Sequence, residues 1–189
     1  MATFGLAWGI VKSQDISELN KYRNAHGLLG RLPMESAAIR AAHVISPSVP
    51  EIDFPLVAPD WLGQYGPIVL DTTPIETSDP ELCQWLDRGR TVVMCMGTHF
   101  RYSESQVKAV IGGFLGAIAQ DSDTQFLWKL SDKSKFESII QEELKDPRDK
   151  QRFRIVNWFE SDPVSIMKHP NIVAYVHHGG ANTFFEAAL

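Results

Sequence analysis

From Pro80 onward, short apolar runs alternate with segments of helical periodicity, and this alternation constrains the fold more than any other feature. Residues 91–96 (TVVMCM) form an unbroken apolar run, as expected of a strand covered on both faces. Residues 103–120 follow with Val107, Val110, Ile111, Phe114, Leu115 and Ile118 at helical spacing, and Ser103 and Gln106 have the form of a capping box. Residues 125–130 (QFLWKL) read as the next strand, and Ser134 and Glu137 open a helix with Phe136, Ile139, Ile140 and Leu144 on one face. Residues 152–157 (RFRIVN) predict a third strand, 163–168 a short helix, 171–177 (NIVAYVH) a fourth strand, and Asn182 the start of a last helix. Strands that alternate with helices imply an α/β fold, a Rossmann-like parallel sheet with helices on both faces and right-handed crossovers.

The first third is less regular. Residues 16–29 suit an amphipathic helix opened by Asp15 or Ser17 and closed near Gly27 or Gly30. Residues 37–45 lead into a stretch punctuated by Pro47, Pro50, Pro55 and Pro59, which favours an extended connection. A turn at Gly66-Pro67 follows, and residues 74–79 read as linker. The expected division is therefore 1–73 and 74–189.

Charge and cysteine usage narrow the function classes. Eighteen Lys and Arg against 23 Asp and Glu give a net charge of −5, scattered along the chain, and a nucleic-acid surface would need a basic patch. The apolar runs have strand length, not bilayer length, so no transmembrane segment is expected. Residues 1–11 are apolar but lack the basic start and cleavage site of a signal peptide. Two cysteines without metal-like spacing favour a reducing compartment, and the cytoplasm is the expected location. The six histidines show no zinc-ligand spacing, and neither a metal nor a cofactor is expected.

The chemistry concentrates at the end of the chain. An apolar strand runs into His178-Gly179-Gly180-Ala181-Asn182-Thr183, and a helix containing Glu186 follows. Glycines let a ligand approach the backbone, and the following helix presents free N–H groups and the positive end of its dipole to an anion. His178, Asn182 and Thr183 add donors at the same point. The competing reading is structural: Thr183 and Glu186 match a Thr-x-x-Glu capping box, which would satisfy the helix end without a ligand. Locally the two are balanced. Position favours the ligand, because Gly97-Thr98, Trp158 and His178-Gly179-Gly180 each follow a strand. All three then lie at the carboxyl edge of a parallel sheet, where open α/β folds bind ligands. A hydroxyl, a flat aromatic and a phosphate-type loop on one edge suit a nucleotide. His177 points to the opposite side of the strand from His178 and reads as structural.

These residues also carry a family resemblance. Val156-Asn157-Trp158, His169-Pro170 and Val176-His177-His178-Gly179-Gly180-Ala181-Asn182-Thr183-Phe184-Phe185-Glu186-Ala187 resemble the donor signature of UDP-dependent glycosyltransferases. Gly66-Pro67, Trp85-Leu86-Asp87 and Met96-Gly97-Thr98 match the family's usual order upstream, so the likeness runs from about Pro55 to the end. It implies part of a GT-B fold, with 1–73 the tail of the N-terminal acceptor domain plus linker and 74–189 a truncated nucleotide-sugar-binding domain. It implies hexosyl transfer from a UDP-sugar to a small, lipophilic acceptor hydroxyl in the parent protein. Trp158 would stack on uracil. His178, Asn182, Thr183 and the Gly179-Gly180 backbone would bind the diphosphate, Glu186 the ribose hydroxyls, and Thr98 would lie near the phosphates. Two departures stand out: Ser161 replaces a frequent Gln three residues after the Trp, and the gap from Trp158 to His178 exceeds that of plant members.

The family's catalytic histidine lies near the start of its N-terminal domain, and neither His26 nor His43 sits in that context. The Asp-Gln pair that contacts the donor sugar would follow Leu189. The expectation is a fragment of an enzyme, with no catalytic residue of its own and inactive alone. Two rivals remain. A dinucleotide enzyme would want Gly-x-Gly-x-x-Gly where this chain has Gly97-Thr98-His99-Phe100-Arg101. A non-catalytic nucleotide-binding or interaction module is the other.

Overall fold

The computed structural model describes residues 14–30, 43–51, 55, 57–68 and 71–188. The apolar start at 1–11, most of the 37–45 segment and Leu189 lie outside the described residues. The chain divides into two compact units, Met1–Ile68 and Val69–Leu189.

In the first unit, helix α1 spans Gln14–Ala25 and so begins before both expected caps. It ends when Leu28 N–H bonds the Arg23 carbonyl at 2.9 Å and Gly27 N–H bonds that of Asn24 at 3.1 Å, a double closure of the last turn. The proline-punctuated stretch holds more order than an extended connection: strands β1 (Val44–Ser46) and β2 (Leu62–Gln64) pair in parallel. Gln64 Nε2 donates to Ser48 Oγ at 2.9 Å, a side-chain tie between the end of β2 and the residues just after β1.

The second unit opens with a correction. Residues 74–79, expected as linker, contain the one-turn helix α2 (Ile75–Ser78), whose Ile75 is buried. Helix α3 (Pro80–Leu86) follows, with Pro80 in its first turn and Asp79 Oδ1 accepting from Leu82 N–H at 2.9 Å. The remaining elements are β3 (Arg90–Cys95), α4 (Glu104–Gln120), β4 (Thr124–Lys129), α5 (Glu137–Glu143), α6 (Pro147–Gln151), β5 (Phe153–Val156), α7 (Pro163–Met167), β6 (Ile172–His177) and α8 (Ala181–Ala188). The predicted Ser103 capping box is formed: Ser103 Oγ accepts from Gln106 N–H, and Gln106 Oε1 accepts from Ser103 N–H at 2.8 Å. Ser134 does not open α5; a 3₁₀ turn over Lys133–Phe136 intervenes, entered through Asp132 in the left-handed region.

The four long strands form one parallel sheet in the order β5-β4-β3-β6. Alternating side chains feed two cores. Met94, Phe126, Trp128, Phe153 and Ile155 pack with Val107 and Ile111 of α4 and Ile139 and Ile140 of α5. Val93, Cys95 and Leu127 face the other way, toward Ile75, Leu82, Leu86 and Ile166 of α2, α3 and α7. The predicted α/β fold, a parallel sheet with helices on both faces, is therefore present. The chain runs outward from β3 to β4 and β5, then returns to place β6 on the far side of β3. The order reverses at the β3–β6 pair, and a topological switch point opens a crevice at the carboxyl ends of those two strands.

Candidate functional site

Register aligns the carboxyl edge of the sheet. Val156, Lys129, Cys95 and His177 stand side by side on β5, β4, β3 and β6. Each strand is followed directly by a segment singled out in the sequence: Trp158 after β5, Gly97-Thr98 after β3, and His178-Gly179-Gly180 after β6.

The loops are tied to one another. Arg101 Nη1 donates to the Thr98 carbonyl at 2.9 Å, and Arg101 Nε lies 3.8 Å from the Asp132 carboxylate beyond β4. Lys133 N–H donates to Asn157 Oδ1 beyond β5 at 2.8 Å. Three neighbouring loops thus form one rim, and Thr98 is exposed on it.

The closest packing at the switch point is around His178. A Cβ on Gly97 would fall 2.7 Å from His178 Cε1, and a Cβ on Gly180 would fall 2.5 Å from Nε2. The imidazole therefore lies across two backbones, one from the β3 loop and one from its own loop, and only glycine leaves it that space. His178 itself is exposed.

Helix α8 begins at Ala181, and its first ladder bond runs from Phe184 N–H to the Gly180 carbonyl at 2.9 Å. This displaces the capping-box alternative: Thr183 is the third residue of the helix, not its cap. The N–H groups of Ala181, Asn182 and Thr183 precede the ladder and point out of the helix end. Gly179 N–H is engaged by His177 Nδ1 at 3.2 Å, so His177 holds the loop, and of the two glycine N–H groups only that of Gly180 stays outside this bond.

Glu186 lies one turn further along, half-buried. Burial, with the nearby Asp162 carboxylate, pushes its carboxyl up from the ordinary value, and the positive charge of Lys129 opposes both. Lys129 Nζ also sits 3.4 Å from the centre of the Trp158 indole. Trp158 is 61% exposed despite that contact, so much of the ring is open to solvent. Ser161 is buried instead, its hydroxyl 2.7 Å from that of Ser78, and it serves as a tie between α2 and the β5–α7 connection.

Sequence reasoning missed Lys129. The available signal was a single charge within the apolar run of residues 125–130. It also missed a grouping of Cys83, Asp87 and His169, whose ligand atoms lie within 4.8 Å of one another. His169 Nδ1 accepts from Asn171 N–H at 3.2 Å, so the ring proton is on Nε2, directed at Asp87 Oδ1 3.3 Å away. Burial, with the Asp87 carboxylate beside it, pushes the Cys83 thiol up from its ordinary value. The grouping is a hydrogen-bonded tie between α3 and the loop before β6.

An open parallel sheet with a glycine loop, a helix start and an exposed aromatic along its carboxyl edge defines a Rossmann-like α/β domain. No protein-family model matches the chain. Individual relatives do. Glycosyltransferase sdnJ of Sordaria araneosa is 38% identical over 183 residues, covering 91% of this chain and 35% of that protein. Anthocyanidin 3-O-glucosyltransferase 2 of Manihot esculenta is 27% identical over 183 residues, covering 88% of this chain and 46% of that protein. The structure of Phytolacca americana UGT2 complexed with UDP-2fluoro-glucose and pterostilbene superposes with a TM-score of 0.57 at 18% identity, over 78% of this chain and 33% of that one, a likeness of fold. Over most of its length the chain is similar to proteins named glycosyltransferases and UDP-glycosyltransferases. It spans between a third and a half of the length of these two sequence relatives.

Proposed function

We propose that this chain holds the UDP moiety of a UDP-sugar in the crevice between the β3 and β6 loops. In the whole protein, that donor gives up its hexosyl group to the hydroxyl of a small, lipophilic acceptor. The observation that carries this reading is the packing of the His178 ring against Gly97 and Gly180 at the switch point. It leaves an exposed imidazole beside a helix start with its first N–H groups free of the ladder. His178, Asn182, Thr183 and the Gly180 N–H hold the diphosphate, with Thr98 at its side. Gly179 contributes its lack of a side chain, its N–H being engaged by His177. The open face of Trp158 stacks on the base, and Glu186 accepts from the ribose hydroxyls.

In the transfer, the acceptor oxygen forms a bond to the anomeric carbon as the bond from that carbon to the phosphate oxygen breaks. Negative charge grows on the departing diphosphate, and donors already placed around it stabilise that charge without reorganising. The acceptor proton goes to a base for which no residue of this chain is proposed.

The test is a thermal melt of this chain with UDP and, separately, NAD. A ligand that binds only the folded form at one hundred times its Kd adds about 2.7 kcal/mol. UDP should raise the Tm, NAD should not, and His178→Ala or Thr183→Ala should weaken the UDP effect. Equal shifts with both nucleotides, or none with either, would overturn the reading.

A further inference from the structure

Lys129 is the last residue of β4 and is 7% exposed, in a strand otherwise fully covered. Taking an ammonium out of water costs several kcal/mol unless a partner compensates it. Among the described residues, no carboxylate comes within ion-pair distance of Nζ. Its close contact is the indole of Trp158, 3.4 Å from the ring centre, the geometry of a cation held by an aromatic face. Its charge acts on the Glu186 carboxylate of α8. That carboxylate also feels Asp162 ahead of α7 and itself acts on the half-buried phenol of Tyr175 on β6, and of these groups only Lys129 is positive. An ammonium held this way is poorly placed for stability and well placed between two residues of the donor site.

We propose that Lys129 is a positioning residue of the donor site, which fixes the plane of the Trp158 indole from one side and supplies the positive charge between Trp158 and Glu186. This rests on the donor-site reading above. With the ring held from one face, its other face meets the base without first losing rotamer freedom, a loss that binding would otherwise have to offset. The same charge keeps Glu186 available as a double acceptor for the two ribose hydroxyls.

The experiment compares wild type with Lys129→Met, which keeps the length and removes the charge, and Lys129→Arg, which keeps charge and can stack. Chemical denaturation and UDP titration between pH 5 and pH 8 are read on each. Lys129→Met should fold at least as stably as wild type, because an apolar side chain replaces a buried charge. It should nevertheless bind UDP about ten-fold more weakly, the scale of one desolvated cation–π contact. Its affinity should also begin to fall at higher pH on acidification, and Lys129→Arg should restore most of both. A purely structural lysine would lower stability and leave the pH profile unmoved. If wild type and Trp158-dependent UDP binding are intact while Lys129→Met binds equally well at every pH, the positioning role is overturned and the donor site stands. If wild type itself does not bind UDP, the donor-site reading fails and this role fails with it.

Discussion

Three alanine substitutions separate the two reasons for glycine around His178. At Gly179, φ is +77° and an added Cβ would meet nothing within 4 Å, so Gly179→Ala tests backbone strain alone. A non-glycine residue held in the left-handed region loses about 1–2 kcal/mol, the expected fall in unfolding free energy. At Gly180 no such φ is required, but the Cβ would lie 2.5 Å from His178 Nε2. The exposed imidazole can swing away, so stability should stay within about 0.5 kcal/mol of wild type. The displaced ring then no longer reaches the diphosphate. A hydrogen bond to a charged group is worth about 1.5–3 kcal/mol, so UDP binding should weaken roughly ten- to hundred-fold. Gly97→Ala combines both defects, with φ +79° and a contact of 2.7 Å to Cε1, and should lose stability and affinity together. Denaturation curves and UDP titrations on the three variants supply both readouts. The double variant of Gly180→Ala with His178→Ala should bind no worse than His178→Ala alone, because the first change acts through the second residue. Unchanged UDP affinity in Gly180→Ala would refute the reasoning, since the ring would then need no particular place. Full stability in Gly179→Ala would show that the loop relaxes out of the left-handed region.

Two further outcomes follow from the same side of the sheet. Because folding raises the Glu186 carboxyl, its stabilising contribution is complete below the ordinary carboxylate range and is lost as pH rises through the raised value. Glu186→Gln should therefore melt higher than wild type at pH 7 and converge with it in acid, while its UDP affinity should lack the acid-side fall expected of wild type. A wild-type advantage at pH 7 without ligand would contradict that sign. On the opposite flank of the Gly97 loop, Ser103→Ala removes the cap of α4 and should lower the unfolding free energy by about 1 kcal/mol with an unchanged m-value. A loss of only a few tenths would mean water replaces the cap.

Elements with a strong local period are legible in the sequence. The runs at 91–96, 125–130, 152–157 and 171–177 form strands within a residue or two of the expected limits, and the Ser103 cap forms as its sequence spacing implies. Burial on both faces forces a continuous apolar run, and a cap depends on residues three apart, so both signals lie within a few positions of one another. Short elements without a period are not legible. Helix α2 is one turn held by the burial of Ile75, and β1 pairs with β2 across the intervening residues 47–61, so neither is specified by its own neighbours.

The site divides along the same line. The residue types at the carboxyl edge, and the glycine loop that ends β6, belong to the sequence alone. Three things do not. The strand order β5-β4-β3-β6 brings Gly97 against a histidine about eighty positions later, and hydrogen bonding between strands distant in sequence sets that order. Helix α8 starts at Ala181 because Gly180 offers its carbonyl to Phe184, so Thr183 lies inside the helix and its match to a cap is lost. Ser161 turns inward to Ser78 and Lys129 turns toward Trp158, each meeting a partner from a different stretch of chain. Local spacing determines which residues can form an element, but which of them meet is decided only when the sheet closes and the low-dielectric interior requires each buried polar group to find a partner.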